Sequence, residues 1–394
     1  MKYASVLQKK CCKNEISCKI IAKKLYFLYL CSPRTVFWHT FKPHCMQRLL
    51  SIDILKLFAM FLVIWGHCVQ FLLTSDYLDE PAYIYIYSFH MPLFFMISGL
   101  FTRAELKPSL LLTRARQLLL PCVAWGLLMS AGNLIQPLLT GTHVDKSLLS
   151  TLYTNFWFLK SLFVCFALWF VSITLLRHRW LALLMSLIAS QFIVVWDVQW
   201  SYPAFAVGVL LSPYIGTIRR HRRPIALTSF LIGGILLLGW NKSYFLIPSV
   251  YSWSTIAPSA VIMSIAMRFY RFFIGISLSL GFIALFLNLE ERFSAKSSAQ
   301  TATLPLLADW GKLTLGIYII HTLFIIVRER LCPGLFCCDA LNPWLFNIAV
   351  APLAAAVLLL VSVGITRLIM LLPRLSFFFL GTPWPKPQVA STGK

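Results

Sequence analysis

The sequence predicts an all-α protein, a polytopic integral membrane bundle of about ten transmembrane helices with both termini in the cytoplasm. Three observations carry that expectation. The 394 residues are 59% hydrophobic and only 12% charged, with a mean hydropathy of +0.77, whereas soluble domains carry about 25% charge and roughly 45–50% apolar residues. The apolar residues gather into runs of about 20, the length a helix needs to cross the hydrocarbon core. Basic residues concentrate in every second connection between those runs.

In chain order the runs are Ile54–Thr74, Tyr83–Phe101, Arg116–Leu139, Phe156–Leu176 and Trp180–Trp196. A short Trp200–Ile215 follows, then Ile225–Trp240, Arg268–Leu289, Leu306–Arg328 and Trp344–Leu372. Ser243–Met267 is apolar but contains Pro248 and Pro258, so it is read as a long loop that re-enters the bilayer; counting it as a span makes eleven.

Charge supports the even count. The net charge of +22 comes from 35 basic and 13 acidic residues, and 25 of the basic ones fall in residues 1–53, 102–116, Arg177–Arg179, Arg219–Arg223, Arg292–Lys296 and the tail. Short cytoplasmic connections collect Lys and Arg in this way. The intervening connections hold Lys146, Lys242 and Arg330, and the first of them is acidic with Asp76, Asp79 and Glu80. A nucleic-acid surface needs its charges on one folded face, which this alternation does not provide, so no nucleic acid is expected as a partner.

Residues 1–47 differ from the rest: five cysteines, many lysines, and one weak apolar patch around Ile20–Cys31 with no cleavage site after it. Two readings stand, a basic disordered leader resting on anionic membrane lipids or an over-extended reading frame with its true start at Met46. The second is preferred, because Met46 stands just before the organised sequence. Without residues 1–45, which hold nine basic residues and one acidic, the net charge falls by eight. No period of 20–50 residues repeats, so 48–372 reads as one membrane domain and 373–394 as a short cytoplasmic tail.

Ionisable residues inside spans are costly and mark function by default. The first helix carries Asp53, Lys56 and His67. At 100° per residue, position 67 lies about 20° from 56 and about 40° from 53, so one face holds all the polarity. The plain alternative is an interfacial Asp53–Lys56 pair that snorkels to water and a packing histidine. His90, seven residues into the second run, and His321, seven from the outer end of the ninth, fall at the depth of His67, and Lys160 lies four residues inside the fourth. Such a layer describes a polar cavity opening outward, or else a set of separate interhelical hydrogen bonds. Pro92, Gly99 and Gly66 allow a kink and close approach beside it. Arg103, Lys107, Arg114 and Arg116 lead into the third helix as topology signals or as phosphate ligands.

No metal is expected: the leader cysteines with His39 and His44 form no C-x2-C pair, and no span holds histidines at i,i+3 or i,i+4. Cys332, Cys337 and Cys338 share an outward loop in which a disulfide is feasible, and Cys68, Cys122 and Cys165 read as packing residues.

These stretches together resemble the membrane acyltransferase-3 family, in its fucose/glucan O-acetyltransferase-like branch. The marks are R-x4-D-x2-K-x10-H (Arg48, Asp53, Lys56, His67), FHMPLFFMISG, R-x4-P (Arg116, Pro121), FWFLKSLF and LTLGIYIIH, in order from Arg48 to Leu372. The resemblance implies a multi-pass enzyme of the cell's inner membrane that moves an acyl group, usually acetyl, from cytosolic acetyl-CoA or another acyl-CoA to a sugar hydroxyl. The acceptor it implies is a surface or exported glycan or a lipid-linked sugar. The family's catalytic histidine carries over to His67 and its basic partner to Lys56, where many members have Arg. Its paired arginines, spaced by three, correspond imperfectly to Arg114 and Arg116, which are spaced by two and are assigned to CoA.

That chemistry suits the residues. An alcohol attacks a thioester poorly unless a base takes its proton, and imidazole does that near neutral pH. His67 is therefore expected as general base or acyl acceptor, with Asp53 and Lys56 orienting the pantetheine path. His90, His321, Lys160 and Trp157 are expected to bind the sugar or stabilise the oxyanion. The rival class is a transporter or flippase of glycan or acyl units, which also wants polar residues at one depth; formation of a covalent ester discriminates the two.

Overall fold

The computed structural model describes residues 49–73, 76–102, 108–140, 147–240, 258–294, 303–331 and 338–384, and among them the secondary structure is helical throughout. The leader, Arg103, Lys107, residues 241–257, Cys332 and Cys337 lie outside the described residues. The helices are α1 (Leu50–Leu72), α2 (Pro81–Leu100), α3 (Pro108–Thr140), α4 (Leu148–Thr154) and α5 (Trp157–Leu176). Next come α6 (Arg179–Gln191), α7 (Val198–Leu211), α8 (Ile215–Arg220), α9 (Arg222–Leu237) and α10 (Pro258–Ser294). The chain ends with α11 (Thr303–Gly311), α12 (Thr314–Leu331), α13 (Ala351–Met370) and α14 (Pro373–Leu380).

Proline sets several of these starts. α2, α3, α10 and α14 each open on Pro, and Pro343 opens the turn that leads through a π-helical segment, Phe346–Val350, into α13. Proline lacks the N–H that the first helical turn leaves unused and arrives with helical φ. That corrects one expectation. Pro258 does not interrupt a loop but begins a 37-residue helix, so 258–267 belong to α10.

Among the described residues, six helical stretches are long and apolar enough to cross a membrane: Leu50–Leu72, Pro81–Leu100, Trp157–Leu176, Val195–Arg220, Ile262–Glu291 and Pro343–Met370. A seventh is the pair Pro305–Gly311 and Thr314–Val327, bent by 63° at the break between α11 and α12. α6 with 13 residues and α9 with 16 extend only about 20 and 24 Å at 1.5 Å per residue, short of the hydrocarbon thickness of about 30 Å. The predicted tail is partly structured: α14 lies on α3, where the Trp125 indole N–H donates to the Phe379 carbonyl at 2.9 Å.

α1 is the hub. It packs against α2, α10, α11, α12 and α13, and its apolar face supplies Leu55, Ala59, Ile64 and Val69 to the core without exposure. Around it, glycines set the distances. α2 and α7 run parallel with backbones in contact, since a Cβ on Gly99 would strike the Phe205 carbonyl and one on Gly208 the Met96 carbonyl. Gly311 likewise seats the end of α11 against the Asp53 carbonyl, and Gly275 brings α10 onto Pro92 and the Ser88 carbonyl that Pro92 leaves without its helical N–H. Helix association in lipid depends on such close packing, because the tails are as apolar as the side chains they meet.

Hydrogen bonds also tie the end of α1 and the start of α2 to distant parts of the chain. The Cys338 N–H donates to the Leu72 carbonyl at 2.8 Å, and Asn347 in the π-helical segment donates to Glu80 Oε2 at 2.5 Å.

The Gly99→Ala variant should lose about 2 kcal/mol or more of stability, because backbone blocks relaxation. Gly364→Ala, which meets nothing within 4 Å, should be neutral or stabilising by up to about 1 kcal/mol from helix propensity. Thermal unfolding of both variants in detergent checks the pair.

Candidate active site

The histidine layer is built on three helices that all touch α1 or belong to it. His67 stands five residues before the end of α1, His90 lies in α2 just before Pro92, and His321 lies in α12. The His67 and His321 rings stack obliquely with centroids 5.6 Å apart. Tyr87 bridges the other two: its ring centroid is 6.3 Å from His67, edge-on, and 4.6 Å from His90. Gly66 makes this bridge feasible, since a Cβ there would lie 2.6 Å from Tyr87 Cε2.

Hydrogen bonds fix which ring nitrogen faces the site. His90 Nδ1 lies 2.8 Å from the Ile86 carbonyl and His321 Nδ1 lies 2.8 Å from the Ile317 carbonyl. A carbonyl only accepts, so both Nδ1 atoms carry the proton, and in the neutral ring Nε2 holds the lone pair. Among the described residues, the buried Nε2 of His321 has no hydrogen-bond partner. For His67 the same assignment follows through Tyr87. The Tyr87 hydroxyl donates to Gln70 Oε1 at 3.2 Å, leaving its oxygen to accept from His67 Nδ1 at 3.3 Å. Gln70 Nε2 in turn donates to the Tyr77 hydroxyl at 3.5 Å. Three imidazoles thus anchor through Nδ1 and turn Nε2 away from their anchors.

Aromatic rings wall the cluster. Tyr83 stacks on Tyr87 at 3.8 Å, and Tyr77 meets Tyr83 edge-on at 5.0 Å. On the far side Tyr318, 5.7 Å from His321, meets Phe158 at 5.3 Å and Phe156 at 6.4 Å, so the start of α5 reaches the layer through phenylalanines. Tyr87, Gln70 and Tyr318 were not singled out from the sequence. Helical spacing carried the signal: Tyr83, Tyr87 and His90 share one face, as do His67 with Gln70 and Tyr318 with His321.

The remaining predicted residues sit apart from this cluster. Lys160 is buried, but its ammonium donates to the carbonyls of Leu152 and Tyr153 at 2.5 and 2.9 Å, at the end of α4, and lies 5.3 Å over the Trp196 ring. It serves there as a positive cap on a helix C-terminus. Trp157 packs beside Phe158 with centroids 6.4 Å apart. Asp53 and Lys56 pair at 3.4 Å near the Leu50 end of α1, about 21 and 16 Å along the axis from His67 at 1.5 Å per residue. Arg114 lies 4.9 Å over the Phe166 ring and donates to Gln117 Oε1 at 3.2 Å. Arg116 keeps a buried Nε without a hydrogen-bond partner, and its carbonyl lies against Gly381, which caps α14 with φ +63°. Among the described residues no group of three or more His, Cys, Asp or Glu is placed to hold a metal.

Residues 49–367 match the model of an acyltransferase domain, acyltransferase 3. The chain is 32% identical over 216 residues to the nodulation protein NolL of Mesorhizobium japonicum and 28% identical over 216 residues to that of Sinorhizobium fredii. The alignment covers 50% of this chain in each case, and 57% and 58% of those relatives, so the chain spans little more than half of their length. No solved structure matches it. With a domain match that runs from the start of α1 to Arg367 near the end of α13 and encloses all three histidines, the chain belongs to the acyltransferase-3 family.

Proposed function

We propose that the protein is a multi-pass O-acyltransferase of the inner membrane that moves an acyl group, acetyl from acetyl-CoA in the first instance, to a sugar hydroxyl of a surface, exported or lipid-linked glycan. The observation that carries this reading is the cluster of three imidazoles, His90 joined to His67 through Tyr87 and His321 lying against His67, each with Nδ1 at a hydrogen-bond partner. The alternation of basic connections supports ten crossings with both termini in the cytoplasm. In that topology α3 crosses through its 33 residues, and the short α6 and α9 cross where the bilayer thins around them.

In this reading the thioester enters from the Leu50 end of α1. Lys56, held by Asp53, and the arginines Arg114 and Arg116 receive the phosphates and pantetheine arm, with the acyl carbon carried up the polar stripe of α1. The acceptor enters from the Leu72 end. His67 Nε2 takes the proton from the sugar hydroxyl as its oxygen attacks the thioester carbonyl. The carbon–sulfur bond then breaks, the His67 imidazolium returns its proton to the departing sulfur, and the products are an ester and the free thiol. The His67–Tyr87–Gln70 chain holds the ring in the tautomer this requires. His321 and His90 Nε2 accept hydrogen bonds from acceptor hydroxyls, which gives the partnerless Nε2 of His321 its role. Trp157 and Lys160 shape the mouth of the acceptor path.

His67→Ala should lower transfer by about 10²–10⁴-fold, the usual worth of a positioned base. Membranes supplied with labelled acetyl-CoA and candidate glycans, scored for ester formation, test this; full activity in the variant refutes the assignment. Tyr87→Phe keeps the ring and removes only the hydroxyl. It should lower kcat about tenfold or less, the range of one hydrogen bond, with KM for acetyl-CoA unchanged. A change confined to KM would assign Tyr87 to binding instead.

A further inference from the structure

A cavity of about 220 Å³ lies between α1, α2 and the segment that opens α13, walled by Trp65, Ala82, Tyr85, Trp344 and Ile348. Asn347 is the one amide in its lining, and no charged residue takes part. Trp65 stands two residues before His67 and therefore about 160° from it around α1, so the cavity backs onto the face opposite the histidines.

Tyr85, Trp344 and Ile348 are 56%, 70% and 68% exposed on stretches long and apolar enough to cross a membrane, so the cavity opens sideways to lipid. It is smaller than the about 300–1,000 Å³ of a pocket for a drug-sized ligand, which leaves room for one slender chain. A sugar ring fits it poorly, because most of its hydroxyls would be buried without partners.

Polar atoms gather at one edge. Asn347, only 7% exposed, donates through Nδ2 to Glu80 Oε2 and to the Pro343 carbonyl at 2.5 and 2.8 Å. Both partners only accept, which fixes Nδ2 toward them and leaves the acceptor Oδ1 one amide width from the same carboxylate. Oδ1 is buried with no hydrogen-bond partner among the described residues, and so is Trp65 Nε1. Buried polar atoms are nearly always paired, so these two mark where a ligand's donor and acceptor belong. The backbone departs from α-geometry at the same place: the Ala351 N–H reaches back five residues to the Phe346 carbonyl, a π turn of the kind often found at functional sites.

A carboxylate with a second acceptor beside it suits a cation rich in N–H donors. The connection between α1 and α2 agrees in sign, since it carries Asp76, Asp79 and Glu80 and no Lys or Arg. A headgroup of net negative charge is repelled there.

We propose that this cavity binds an aminophospholipid of the phosphatidylethanolamine class from the leaflet at the Leu72 end. One acyl chain lies against Trp65, Ala82 and Ile348, the ammonium donates to Glu80 and to Asn347 Oδ1, and an ester carbonyl accepts from Trp65 Nε1. The bound lipid ties the π-helical start of α13 to the α1–α2 pair. This goes beyond the acyltransferase reading and requires only that these stretches cross a membrane.

Photolabelling tests it. Full-chain protein in detergent micelles is exposed to phosphatidylethanolamine with a diazirine in one chain, and labelled peptides are mapped by mass spectrometry. Labelling should centre on 82–85 and 344–348 and exceed that of Leu231 and Leu238, on and just after α9, which are 61% and 86% exposed. Unlabelled phosphatidylethanolamine should compete about tenfold or more better than phosphatidylcholine or phosphatidylglycerol of the same chains, the range of a charge-assisted hydrogen bond. Glu80→Gln should erase that preference. Ala82→Trp should abolish labelling of the cavity and leave that of α9 and the elution profile unchanged. Cavity labelling no stronger than that of α9, or equal or better competition by either of the other lipids, overturns the site. Displacement of the label by neutral maltotriose also overturns it and assigns the cavity to a glycan.

Discussion

A polar side chain surrounded by hydrocarbon must take its partners from the protein, and His67 imposes that requirement on the bundle. Its ring needs an acceptor at Nδ1, which Tyr87 and Gln70 provide, and a covered flank, which His321 provides. Meeting both needs places α2 on one side of α1 and α12 on the other. Once those two are set, α10 follows α2 through Gly275 and α13 closes on α1 beside α12. The architecture around α1 is thus the set of helix positions that leaves its polar stripe dry but partnered.

Close backbone contact makes those positions stable without a hydrophobic force between helices. Gly99 with Gly208, and Gly311 with the Asp53 carbonyl, remove the side chains that would hold helices apart. The same contacts limit motion, because a helix touching its neighbour through backbone cannot slide without a clash. Rigidity of that kind keeps the three imidazoles and Tyr87 at fixed separations. Strain lies at the edges instead, in the non-glycine left-handed residues Phe156, Arg177, Trp196 and Asp197 at element junctions.

Much of this was readable from residue order. Each of the ten apolar runs contains helix, and His67, His90 and His321 do come together, because position along a run is a one-dimensional coordinate that residue order gives. Lys160 was counted into the same layer but caps α4, since position along a helix says nothing about direction around its axis. Tyr87 and Gln70 were missed for a related reason: Tyr and Gln are unremarkable in composition and gain meaning only when two helices are seen to face each other. Pro258 was misread because a proline that starts a helix and one that breaks it look alike without a boundary. The α11–α12 bend has no proline at its break, only the short polar interruption of Asp309, Gly311, Lys312 and Thr314 within an apolar run.

The place of His321 has a consequence for biogenesis. Tyr87 leaves the ribosome soon after His67, but the α12 ring that covers the other flank follows about 250 residues later. At about 5–20 residues per second that interval lasts roughly ten seconds to a minute. During it, α1 sits in the insertion machinery or the bilayer without the helices that later pack on it, α10, α11, α12 and α13. α1 is therefore made well before its surroundings are complete, and a nascent chain of this design depends on something to shelter that helix until its later partners arrive.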